Sequence, residues 1–252
     1  MPTVGGLTDP YANFLLPLLP VGPGVCAVCR SNVADGYVRC WACNQAVQLL
    51  PSTADAVGFI SVAVKGKQLA HELWTFKNGN QPDVRQRLEI QLAALLWRWL
   101  GSHEICLTGE TDCDSFEVVT TVPSASGRQA HPLERMASTT IGATAERYRR
   151  LLEVNPSVSQ ERVFNVDRWQ SQRLAGESVL LLDDTWTTGA HAQSASAALR
   201  QSGAGTVAVL CIGRHYNPNQ PGEFGEAARE HLRRSQRLGW DWDFCCFETR
   251  RD

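Results

Sequence analysis

VLLLDDTWTTGAH, residues 179–191, sets four apolar residues against two adjacent carboxylates, then three threonines and a glycine. A continuous apolar run of this kind reads as a strand buried on both faces. The segment from Gly189 to Ser202 has helical spacing at Ala195, Leu199 and Ser202, and Gly203 can end it. TVAVLCIG at 206–213 is a second fully apolar strand. Strand, loop, helix and strand in this order make a βαβ unit, which builds a parallel sheet. Ligands of such sheets bind beyond the carboxyl ends of the strands, where Asp183 and Asp184 stand. The loop Thr185–Ala190 leads into a helix N-terminus, whose N–H groups and partial positive charge suit a phosphate. Two acids beside a phosphate site point to a sugar phosphate: the acids accept from ribose hydroxyls while the loop holds the phosphate.

GFISVAVKG at 58–66 and FEVVTTVPS at 116–124 read as strands, and RVFNVDR at 162–168 as a short one. Val84, Leu88, Leu92, Leu95, Leu96, Trp99 and Leu100 recur at steps of three and four, which predicts a helix with one broad buried face. Asp83 with Gln86 forms a variant capping box at its start. A further helical stretch covers 225–238, before the aromatic end WDWDFCCF.

Four of the nine cysteines form two C-x-x-C pairs, Cys26/Cys29 and Cys40/Cys43. Two such knuckles complete a tetrahedral four-sulfur site for Zn²⁺, closed to water and therefore structural. In zinc peptides such a site is worth about 10–16 kcal/mol, enough to order a segment that has no core. A redox C-x-x-C is the alternative. Cys106, Cys113, Cys211, Cys245 and Cys246 read as ordinary buried thiols.

The chain has 252 residues, 43% of them hydrophobic and 20% charged, with a net charge of −2. The pI near 6.3 provides no global basic field for nucleic acid. Of the 24 cations, 21 are arginine, so local basic patches remain open. No apolar run approaches the roughly 20 residues needed to span a bilayer. The N-terminus lacks the layout of a secretory signal, and the cysteine usage suits a reducing compartment, so a cytoplasmic protein is expected. The expected organisation is an extended arm (1–24), a four-Cys zinc element (25–50), a strand and helix region that could form a hood (51–115), a core (116–215), and a C-terminal helix and tail (216–252).

The motif at 179–191 resembles the PRPP-binding motif of type I phosphoribosyltransferases. With the four-Cys element in front, the chain resembles the ComF family, bacterial proteins associated with competence for DNA uptake, most closely through TVPSASGR, HPLERM and ESVLLLDDTWTTGAHAQSA. The resemblance implies an α/β type I phosphoribosyltransferase fold, a mostly parallel sheet flanked by helices, with a small N-terminal zinc knuckle. It implies that Asp183 and Asp184 bind the ribose hydroxyls in the catalytic site. Thr185, Trp186, Thr187, Thr188, Gly189, Ala190 and His191 would cradle the 5-phosphate, His191 standing where the family usually has Thr. Ser124, Ala125, Ser126, Gly127 and Arg128 would form the pyrophosphate loop. Arg128, His131 and Arg135 are candidates for closing over the pyrophosphate, and Lys65 and Lys77 for a further contact with it.

The expected activity is Mg²⁺-dependent transfer of phosphoribosyl from PRPP to a base or amine with release of pyrophosphate. The partners would be PRPP and a small-molecule acceptor, with a homodimer compatible with the class, no membrane insertion and nucleic acid not favoured. Two other readings stand beside it. One is a non-catalytic module that senses PRPP or a nucleotide. The other is a DNA-uptake accessory that stacks bases on Arg30, Arg39 and Trp41 around the zinc ligands, although packing of Trp41 on the zinc site explains that residue more simply. HPLERM departs from the Arg-Gly-Phe-Asn-Gln-like stretch of better-known ComF members.

Overall fold

The computed structural model describes residues 3–124, 131–159, 161, 163–219 and 222–248. In chain order these form α1 (Val4–Thr8), a 3₁₀ turn (Asp9–Asn13), α2 (Trp41–Leu49), β1 (Ala56–Val64), α3 (Gln68–Asn78) and α4 (Pro82–Thr111). There follow β2 (Val118–Thr121), α5 (Pro132–Arg135), a π-helical turn (Met136–Thr140), α6 (Gly142–Ala145), β3 (Leu152–Val154) and β4 (Trp169–Ser171). The last elements are β5 (Ser178–Trp186), α7 (Ala190–Gln201), β6 (Thr206–Tyr216) and α8 (Gly222–Leu238).

Four strands make one parallel sheet in the order β1-β6-β5-β2. The fold is therefore α/β, with helices against both faces. The alternation along β5 assigns its side chains to two cores. Leu180 and Leu182 pack with Leu92, Leu96 and Trp99 of α4, and Val179 and Leu181 pack with Ala195 and Leu199 of α7. All four β5 residues are at most 1% exposed. Burial on both faces explains the unbroken apolar run, and each such side chain contributes about 1.5–3 kcal/mol relative to exposure.

Several boundaries differ from the expectations. Residues 4–13 are helical and not an extended arm, because Tyr11 and Leu15 are drawn into the α4 core. Arg98 of α4 fixes them by donating to the Thr8 hydroxyl at 2.7 Å and the Asp9 carboxylate at 2.6 Å. The predicted strand at 162–168 is instead irregular chain and a 3₁₀ turn (Val166–Arg168) among its described residues. The pairing begins only at β4, antiparallel to β3 and outside the main sheet. Helix α4 starts at Pro82, so Asp83 lies in its first turn and makes no capping box; there its charge favours the helix dipole. The buried face of α4 is as predicted, with Val84 half-buried at its edge.

Residues 51–115 form no separate hood. β1 pairs with β6 along its whole length, and α4 covers one face of the sheet. Helix α3, not among the expected elements, buries Leu69, Leu73 and Phe76, which recur at helical spacing. Its approach to the sheet depends on Gly213 of β6, where a Cβ would sit 2.4 Å from Leu73 Cδ1 and 2.9 Å from Ala63 Cβ. Gly213→Ala should therefore lower stability by about 1–3 kcal/mol by overpacking. Urea denaturation checks this, and an unchanged midpoint would contradict the close packing.

Candidate functional site

A cleft of about 520 Å³ opens at the carboxyl ends of β5 and β6, within the range of small-molecule sites. Its floor is Asp183, Thr185 and Trp186 of β5, followed by Thr187, Thr188 and Gly189. The strand runs further than expected: Thr185 and Trp186 still pair with Gly213 and Arg214 of β6, so the loop is only Thr187–Gly189 and Ala190 begins α7. Gly189 makes this turn possible. Its φ is 85°, and a Cβ there would come within 2.1 Å of the Trp186 indole. Trp186 is in turn buried edge-on against Phe59, ring centroids 5.6 Å apart. Its expected place among the phosphate contacts thus becomes a supporting one beneath the loop.

At the start of α7 the hydroxyl of Thr188 accepts from the Ala190 amide at 3.3 Å. No acid stands in the first turn of this helix. His191 lines the cleft, its ring edge-on to Trp169 at 6.0 Å. The opposite wall is α3 and the turn before it, which contribute Lys65, His71, Trp74, Lys77 and Asn78, and His215 lies between the walls. The resulting surface combines one cleft-facing carboxylate with two lysines, three histidines and a helix N-terminus.

The two acids have separate surroundings because successive strand residues point to opposite faces. Asp183 lines the cleft. Burial pushes its carboxyl up to about 6, against the opposing pull of Lys77 and the Thr185 N–H. Asp184 is fully buried on the α3 side and forms an ion pair with Lys77. Lys77 is therefore more than a solvated surface lysine: it lines the cleft and neutralises the carboxylate behind it.

Of the expected pyrophosphate loop, Ser124 is half-buried just beyond β2, outside the cleft lining. Ala125, Ser126, Gly127 and Arg128 lie outside the described residues. Arg135 points elsewhere, donating from Nε to Glu89 of α4 at 2.6 Å beside a second cavity. His131 is buried.

The sulfur atoms of Cys26, Cys29, Cys40 and Cys43 all lie within 4.8 Å of one another. Cys29 and Cys40 are 3.6 Å apart, unbonded and close to the roughly 3.8 Å edge of a tetrahedron with 2.3 Å zinc–sulfur bonds. The Cys40 N–H donates to Cys26 Sγ at 3.3 Å, the hydrogen bond expected to a charged thiolate. The donor set thus suits a zinc-type ion. Arg30 after the first knuckle has φ 56° and is buried, while Trp41 is 76% exposed. The expected packing of Trp41 on the site is not found, and Arg30 cannot serve as a platform for bases.

Arg214, at the end of β6, was missed in the sequence, although a charge closing an apolar strand was the available signal. Its buried guanidinium donates from Nε to the Cys29 carbonyl at 3.0 Å and from Nη2 to Cys29 Sγ at 3.5 Å. It also donates to the carbonyls of Trp186 at 3.3 Å and Thr187 at 3.1 Å. One side chain therefore joins the cysteine element to the strand-end loop.

Comparison with protein-family models finds no match to the chain, and none of the curated proteins matches it either. Among the described residues, no helix is long and apolar enough to cross a membrane.

Lys77→Met should cost about 2–4 kcal/mol at neutral pH, because it strands the Asp184 charge. Adding Asp184→Asn should recover most of that loss. A double-mutant cycle by chemical denaturation checks the coupling, and additive losses would contradict the ion pair.

Proposed function

We propose that the cleft binds PRPP with Mg²⁺ and that the protein transfers phosphoribosyl to a base or amine with release of pyrophosphate. The observation that carries this reading is the junction of Asp183 with the Thr187–Gly189 turn and the N-terminus of α7 in one cleft. Thr187, Thr188 and the first amides of α7 would take the 5-phosphate, with His191 beside them. Asp183 would accept from a ribose hydroxyl. Asp184 would act from behind, fixing Lys77 at the side of the cleft where a pyrophosphate would carry its charge. Lys65 and Lys77 would meet the charge of the leaving pyrophosphate from the α3 wall, and Mg²⁺ would supply further charge neutralisation there. The chain's own contribution is position and electrostatics: a fixed sugar, a held phosphate and cations around the departing group. The cysteine element holds the loop through Arg214, and a structural zinc there is part of the same proposal. So are the phosphoribosyltransferase fold and the likeness to ComF proteins.

A second reading, a sensor that binds PRPP or a nucleotide without turnover, is favoured by one observation. Asp184 is buried and paired with Lys77, which leaves a single acid facing the cleft.

Calorimetric titration of PRPP into zinc-replete protein should give micromolar binding with Mg²⁺, weakened at least tenfold by Asp183→Asn. Pyrophosphate release across a panel of bases and amines separates enzyme from sensor. Binding unaffected by Asp183→Asn would overturn the site. Because a raised carboxyl ionises only above about pH 6, affinity should rise with pH through that value. The same step should be absent from Asp183→Asn, which leaves only the ligand's own ionisation. Identical pH profiles for the two proteins would count against Asp183 as the ribose acceptor.

A further inference from the structure

A second group of ligand-type side chains lies far along the chain from the first. His103 Nδ1, Cys106 Sγ, Cys245 Sγ and a carboxylate oxygen of Glu248 all fall within 4.8 Å of one another. We propose that these four residues form a metal site for Zn²⁺, which clips the C-terminal tail onto α4.

The sequence supplies the ligands as two i, i+3 pairs. His103 and Cys106 lie one turn apart on α4, so both face the same way. Cys245 and Glu248 close a turn of the tail: the Glu248 N–H donates to the Cys245 carbonyl at 3.2 Å, and the Cys245 N–H donates to Glu248 Oε2 at 2.8 Å. Each pair is thus preset by local backbone structure before the two meet.

The histidine is oriented as a ligand. Its Nε2 lies 2.9 Å from the carbonyl oxygen of Trp242, which can only accept, so Nε2 carries the proton. In the neutral ring Nδ1 then presents a lone pair, and it is Nδ1 that faces the cluster. A ligating histidine whose other nitrogen donates to a backbone carbonyl is the usual arrangement around protein metals.

The spacings point the same way. Nδ1 of His103 is 3.8 Å from Cys106 Sγ and 4.0 Å from Glu248 Oε2, and Cys106 Sγ is 4.0 Å from Glu248 Oε1. These are long for hydrogen bonds. They lie at or a little above the roughly 3.3–3.8 Å edges of a tetrahedron with 2.0–2.3 Å bonds to N, O and S. A small inward movement around an ion closes the difference. Two sulfurs, one imidazole and one carboxylate suit zinc among the divalent cations, whereas Ca²⁺ and Mg²⁺ require oxygen. His103 and Cys245 are buried while the Glu248 side chain is 42% exposed, so the carboxylate is the side from which an ion enters.

The site would hold the tail in a defined place. Phe247, between two of the ligands, packs over Gly58 of β1, where a Cβ would come within 3.2 Å of its ring. The guanidinium of Arg30 lies 5.5 Å from the same ring. Closing the clip thus seats the tail between α4 and the cysteine element.

The test is metal content of the 252-residue chain, reconstituted with zinc under reductant and freed of loose metal. The expected result is about two zinc ions per chain in the wild type and about one in Cys106→Ser/Cys245→Ser. Should that variant fail to fold, Glu248→Gln decides, because its side chain is half in solvent. Cobalt titration should then show one of two thiolate-bound equivalents weakened about tenfold or more, with the other unchanged. Wild-type protein without zinc, variants that bind as much metal as the wild type, or a Cys106–Cys245 disulfide in the zinc-replete protein would each overturn the proposal.

Discussion

Strand β5 is buried on both faces, and that constraint organises the molecule. Leu180 and Leu182 belong to one core, Val179 and Leu181 to the other, and neither face tolerates a charge until the strand reaches the sheet's edge. Polar groups therefore appear together at Asp183, where the sheet stops excluding water. The alternation that filled two cores then sends one acid into the cleft and its neighbour back against α3. A buried Asp184 requires a cation, and Lys77 supplies it from a helix that Gly213 allows to approach. The charge pattern of the cleft thus follows from the packing beneath it.

The turn after β5 is equally over-determined. Gly189 must lack a side chain because the Trp186 indole fills that space, and Trp186 is itself held by Phe59. From the other side Arg214 ties the carbonyls of Trp186 and Thr187 to Cys29. A buried guanidinium spread over several carbonyls and a sulfur keeps its charge satisfied away from water. The cysteine element is in this way a support for the loop as well as a unit of its own. A phosphate-binding turn gains from such rigidity, since amides fixed beforehand cost little to reorganise when the ligand arrives.

Long periodic or continuous patterns were the legible part of the sequence. The apolar runs of β5 and β6, the helix between them and the buried stripe of α4 were readable because packing imposes their periods. So were the paired cysteines, since ligand spacing is local. Arg214 was not, nor was the pairing of the candidate Lys77 with Asp184, because a lone cation in sequence does not reveal what it faces. The helix at 68–78 was hidden by its shortness, and the arm by its glycines and prolines, although its Tyr11 and Leu15 find a core. Cys106 and Cys245 read as ordinary thiols, and His103 and Glu248 gave no signal, for the relation of the four exists only once the tail has folded back on α4.

We propose the turn after β5 and Asp183 as one ribose-phosphate site. The most direct measurement is a crystal structure of the zinc-replete protein soaked with PRPP and Mg²⁺. Phosphate density is expected against the amides that begin α7, with the ribose hydroxyls within hydrogen-bond distance of Asp183. Ligand bound elsewhere on the protein, with the cleft holding only solvent at saturating PRPP, would contradict it.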